Sequence, residues 1–292
     1  MAAMVRTGVR ASKFAYNFLH YRRISLFLHT VMRFRILASL SALLLCCQAM
    51  NAQTNVQLHY DFGRNIYSGK KGGLDLSKEG SNRQAMTMTV EHFNVDRFGS
   101  NFFFVDLDFV PGSKAFRGAY FEISRELCFW KGTPVEGLSA HIEYNGGLDR
   151  YSGVYDDAYL LGPTYSFHSK DWSFTGSVTA MYKVIPGNAK NMHNFQLTGV
   201  WNWTFCKGML SFNGFADFWM ENRPWQLGAK GDKEGDGTDF IFISEPQLWF
   251  NFNSLKAMEK CNLSVGTELE ISSNFLSAGA HCCPTIALKY VF

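Results

Sequence analysis

Acidic residues recur two or four apart in this sequence, with aromatic rings beside them. Asp106 and Asp108 follow Phe102 and Phe104 in NFFFVDLDF (101–109), and Glu122 and Glu126 follow Tyr120. Glu268 and Glu270 repeat the spacing in VGTELEIS (265–272). Side chains two apart share one face of an extended strand. The same parity collects His141, Glu143 and Asn145, then Asn213, Phe215, Asp217 and Trp219, then Glu245, Gln247, Trp249 and Asn251. Carboxylates accept hydrogen bonds from hydroxyl and N–H groups, and aromatic faces stack on planar rings. The combination suits a neutral, planar, polyhydroxylated solute such as a nucleoside. It would equally serve as a solvated, mutually paired lining with no specific ligand.

Arg125 breaks the parity. It falls on the face opposite Glu122 and Glu126, where lipid would make a charge costly. Either it lies near a rim, or a bulge at Ser124–Arg125 turns it inward to Glu122 or Asp106. The second arrangement is the expectation here, because the cation would then keep its neighbours ionised.

Strands must carry these faces. Period-two stretches recur at 55–63, 84–93, 100–109, 117–129, 136–145, 157–168, 171–183, 192–205, 208–219, 239–252, 261–272 and 284–292, the strand signal. Twelve strands use the chain from 53 to 292 as one domain, and an even number of such lengths suits a twelve-stranded antiparallel transmembrane β-barrel. The connections at 64–83, 110–116, 146–156, 184–191, 220–238 and 273–283 are expected outside. Those at 94–99, 130–135, about 168–171, about Lys207 and 253–260 are mostly shorter and expected in the periplasm. Pro163 and Pro246 cannot donate to a ladder, so bulges or local bends are expected there. Tyr120, Trp130, Trp201, Trp203, Trp249 and Tyr290 are candidates for aromatic girdles.

The chain ends in TIALKYVF (285–292). Ile286, Leu288, Tyr290 and Phe292 share one face, and Thr285, Ala287, Lys289 and Val291 the other. A terminal aromatic closing an alternating strand looks like the signal read by the barrel-assembly machinery, with Tyr290 and Phe292 as its elements. At the other end, residues 1–52 hold seven Lys or Arg and no acid. Arg33 and Arg35, the apolar run 36–47 and QAMNAQ (48–53) have the order of a signal peptide. Residues 32–52 are expected to be that signal, and 1–31 a mis-start or leader. Residues 53–292 carry 21 Lys or Arg against 25 Asp or Glu, so the basic balance of the whole chain is no argument for nucleic acid.

Five cysteines past residue 52 have neither disulfide nor zinc spacing. GAKGDKEGDGTD (228–239) lacks the spacing of a calcium loop. No cofactor or metal is expected. The histidines have no telling nucleophile nearby, which points away from an enzyme.

FGSNFFFVDLDF (98–109), YFEISREL (120–127), YLLGPTYSF (159–167), SFNGFADFW (211–219), ISEPQLWF (243–250), VGTELEIS (265–272) and KYVF (289–292) together resemble, in order, the nucleoside-specific outer-membrane channel (Tsx-like) family. The resemblance implies a monomeric twelve-stranded barrel of the bacterial outer membrane, with a narrow lumen through which nucleosides diffuse. Where that family leads one to expect a Pro–Arg pair after EIS, this chain has Arg125–Glu126, and its loops are its own. A general-diffusion or structural barrel without that selectivity is the alternative.

Overall fold

The computed structural model describes residues 52–66, 83–110, 116–149, 153–154, 157–187, 192–222, 238–275 and 280–292. The expected leader and the signal peptide up to residue 51 lie outside the described residues, as does 228–237. Asn51–Phe292 is one compact unit.

Strands β1 (Ala52–Asp61), β2 (Met86–Asp96), β3 (Gly99–Phe109), β4 (Phe116–Leu127), β5 (Leu138–Asp149) and β6 (Ala158–His168) are followed by β7 (Phe174–Val184), β8 (His193–Phe205) and β9 (Leu210–Asn222). Next comes β10, one stave in two pieces (Thr238–Ser244 and Gln247–Asn251), then β11 (Leu263–Ser273) and β12 (Ala280–Val291). A two-residue piece, Gly153–Val154, pairs back on β5. Each strand pairs antiparallel with the next, and β1 pairs with β12, so the sheet closes. Closure removes the unpaired edges that an open sheet presents. Both chain ends of the barrel lie at the end with the five turns β2–β3, β4–β5, β6–β7, β8–β9 and β10–β11.

Alternation decides which side chains face in. On β12, Ile286, Leu288 and Tyr290 are 55, 48 and 46 % exposed, while Thr285 and Ala287 are buried. On β1, Leu58 and Tyr60 point out while Gln57, His59 and Asp61 are buried inside. A soluble sandwich would bury its apolar face. Here the apolar face is the outer one, the arrangement of a barrel in lipid. Trp130, Trp203 and Tyr290 are exposed as girdle residues would be, and Trp201 packs on Phe212. Tyr120 and Trp249 are not girdle residues, because both face inward.

Neither proline shifts the register. Leu161 faces Tyr182 and Thr164 faces Thr179, so Gly162 and Pro163 interrupt the β6–β7 ladder with equal counts on both sides. At Pro246, Ser244 pairs with Ala216 and Gln247 with Asn213, again in step. The backbone is handed across this break by Glu245 N–H to Phe215 O (3.1 Å) and Leu269 N–H to Pro246 O (3.0 Å). These are bends. The register shift of the β3–β4 pair lies elsewhere: Asp108 faces Gly118 but Phe109 faces Phe116, leaving Arg117 as an extra residue in β4.

Candidate functional site: the barrel lumen

A cavity of about 2300 Å³ runs inside the barrel. Its lining reaches from Trp172, Gly208, Asn262 and Phe292 at the turn end to Arg83, Asp149, Glu221 and Phe275 at the opposite end. Among the described residues it is lined by fourteen Asp or Glu and five Lys or Arg, so its formal charge is negative.

The parity of β3 places Phe102, Phe104, Asp106 and Asp108 on this lining. Thr89 and Thr87 of β2 donate to Asp106 (2.5 Å) and Asp108 (2.7 Å) from across the ladder. Phe104 lies between Phe102 and Tyr120, with ring centroids 6.1 and 6.0 Å away. Tyr120 donates its hydroxyl to Glu122 (2.7 Å). Glu122 lies within electrostatic reach of Glu143 on β5, Asp217 on β9 and Lys183 on β7. Glu245, just after the first piece of β10, lies within reach of Glu268, Glu270 and Asp106. Carboxylates from β3–β5 thus confront carboxylates from β9–β11 across the lumen.

Cations and hydrogen-bond donors hold this crowd of acids. Thr198 donates to Asp217 (2.6 Å), and Gln247 to Glu268 (2.6 Å). Glu126 accepts from Ser139 and Thr164 and contacts His141 Nδ1 at 2.6 Å, while Glu143 lies 3.1 Å from His141 Nε2. Lys183 donates to Gln196 (2.8 Å) and sits 4.8 Å over the ring of Trp219. Arg83, in the β1–β2 connection, bridges Asp61 of β1 (2.6 Å) and Glu270 of β11 (2.7 Å), all three buried. Burial alone would lower the Arg83 pKa, but Glu270 and Asp61 outweigh it and raise it, so the guanidinium stays charged. Arg117, freed by the bulge, pairs with Asp149 (2.6 Å).

The barrel interior also holds apolar clusters. Trp219, Ile241 and Ile243 form a buried apolar cluster with Phe215 packed on it. Ala158, Leu160, Met181 and Ile185 form another. Towards the turn end, Trp249 is fully buried. Its indole N–H donates to Gln247 (3.0 Å), and Lys289 lies 4.1 Å over its ring.

Every expected lumen residue lines the cavity except Arg125 and Trp249, the latter facing inward but fully buried. Glu122, Glu143, Asp217, Trp219, Glu245, Gln247, Glu268 and Glu270 join the four of β3. Arg125 keeps the outward parity, paired in step with Asn101 and Ile142, and no bulge occurs at Ser124–Arg125. Its Nη2 donates to Asp96 (2.8 Å) at the end of β2. The reason is depth: Arg125 is two residues from the end of β4, where an outward charge meets the interface rather than hydrocarbon. The lumen cations Arg83, Arg117 and Lys183 were not among the expected residues. Lys183 sits on the polar parity of β7 with Thr179 and could have been read there. Arg83 lies in a connection and Arg117 behind a bulge, and neither leaves a periodic signal.

A closed antiparallel barrel with an apolar outer wall and a charged interior defines the class. The chain belongs to a family described as "Domain of unknown function (DUF5020)", whose model matches residues 52–292. No curated protein matches the sequence. Among solved structures, similarity is found to "KdgM porin", at 11 % identity over 82 % of this chain and 99 % of that one, with a TM-score of 0.44. A NanC porin structure is similar at 7 % identity over 81 and 98 %, TM-score 0.46. OmpT, an outer membrane protein of Vibrio cholerae, is similar at 11 % over 82 and 76 %, TM-score 0.34.

Proposed function

We propose that the chain is a channel of the bacterial outer membrane through which small solutes diffuse, with nucleoside-like solutes preferred. The observation that carries the reading is the cavity lined from one rim to the other by polar and charged side chains inside an apolar wall. A wall exposing Leu, Ile, Val and aromatic residues needs lipid outside. The row Phe102, Phe104 and Tyr120, with Glu122 hydrogen-bonded to the last, offers stacking faces beside acceptors. That pairing supports a planar solute bearing hydroxyl and N–H groups. The reading needs one chain only, with no cofactor and no nucleic acid.

Single-channel current of the purified barrel in planar bilayers tests it. Nucleosides are expected to block the wild-type current. Phe104→Ala should weaken the block by about 1–3 kcal/mol, the stacking of one base on one ring, with little change in bulk conductance. Current that no reachable nucleoside concentration blocks would leave a general-diffusion barrel. No current at all would leave a structural one.

A further inference from the structure

We infer that the outer wall carries a binding site for the headgroup of an anionic phospholipid, built around Arg125 at the turn end of β2–β4. The inference rests on the membrane reading above but not on the lumen's selectivity. The register brings Asn94, Asn101 and Arg125 into one outward-facing row on three adjacent strands. Asn101 donates its amide to Asn94 (3.0 Å). Four residues further along each strand, the corresponding row is Val90, Val105 and Phe121, all apolar. In the row between them, His92 is spent within the protein, bonded to Thr54 (2.9 Å) and stacked on Phe103. Polar groups on a lipid-facing wall are expensive in hydrocarbon and inexpensive beside headgroups. The Asn–Asn–Arg row therefore marks headgroup depth.

The charges at this corner do not cancel. Asp96 is the carboxylate that Arg125 meets, and it also accepts the amides of Phe98 (2.8 Å) and Gly99 (3.0 Å) to cap the β2–β3 turn. The Arg125 side chain remains 23 % exposed beside Asp96. Arg97, exposed in the same turn, lies 4.2 Å over the ring of Phe98, itself 53 % exposed. Lys131 ties the next turn to this one by donating to the carbonyl of Arg97 (3.0 Å). One carboxylate, already committed to Arg125 and two backbone amides, thus stands beside the cations of Arg125 and Arg97, and an exposed ring stands where acyl chains meet headgroups. A phosphodiester with net negative charge complements this surplus of cations, and the planar guanidinium matches its oxygens.

Native mass spectrometry of the folded barrel, released from nanodiscs of equimolar phosphatidylglycerol and phosphatidylcholine, tests this. The wild type should retain phosphatidylglycerol in preference. Arg125→Gln should lower the preference roughly fivefold, the weight of one basic residue at an anionic surface. Arg97→Gln, in an exposed turn where folding is not at stake, should lower it similarly, while Lys207→Gln in the β8–β9 turn should leave it unchanged. Equal retention of both lipids, or an equal effect of Lys207→Gln, would overturn the site. So would displacement of the lipid by inorganic phosphate, or a two-chain species that disappears in Arg125→Gln. Nucleoside block should survive both arginine substitutions, and a barrel that retains phosphatidylglycerol yet conducts nothing loses the channel reading alone.

Discussion

Asp149 is buried on the inner wall, and the guanidinium of Arg117 is 2.6 Å from it. Removing one partner of a buried ion pair weakens what compensates the other charge, at a cost of up to about 3–5 kcal/mol. Arg117→Met should therefore lower the urea midpoint of the folded barrel, and adding Asp149→Asn should restore much of the loss. Parity alone located Asp106, Glu122 and Glu268, because a residue's face follows from counting in twos. It could not decide between two outward-parity arginines. The inward-turning bulge expected at Arg125 exists at Arg117, and Arg125 needs none because it sits at the rim. Depth along the strand mattered as much as face, and depth depends on where each strand ends.

Strand ends were the less legible part. The last alternating run begins at residue 284 in the sequence, but β12 begins at Ala280. Two adjacent cysteines and Pro284 hide the alternation there, although Cys282 is exposed and Cys283 buried as neighbours in a strand should be. Pro163 and Pro246 marked real interruptions, yet the strands stay in register across both because partner strands lose equal counts. At the first, β6 and β7 come so close that a Cβ on Gly162 would stand 1.9 Å from the carbonyl oxygen of Ala180. Gly162→Val should destabilise the barrel by roughly 1–3 kcal/mol or more, visible as a smaller heat-modifiable fraction on gels. If β12 carries the insertion signal, deleting Phe292 should sharply reduce folded protein in the outer membrane. Wild-type amounts of the deleted form would refute that role.

For the molecule as a whole, the lining outweighs its cations with carboxylates, so the channel should pass potassium more readily than chloride. Reversal potentials across a salt gradient measure this, and Asp106→Asn with Glu122→Gln should shift them towards zero. Closure has a further consequence, which falls on Arg83. Strands β1 and β12 are neighbours that no turn joins, and their pairing brings together residues as far apart in the chain as Asn55 and Val291. Arg83 spans this seam from inside, reaching past β12 to hold β1 and β11 together. The salt links can form only once the last strand has arrived, so they are absent while the barrel is still open. Interactions missing from the transition state slow unfolding without hastening folding. The first connection of the chain would then act as a latch on lifetime: Asp61→Asn should shorten the half-life of the closed barrel in denaturant while its refolding rate hardly changes.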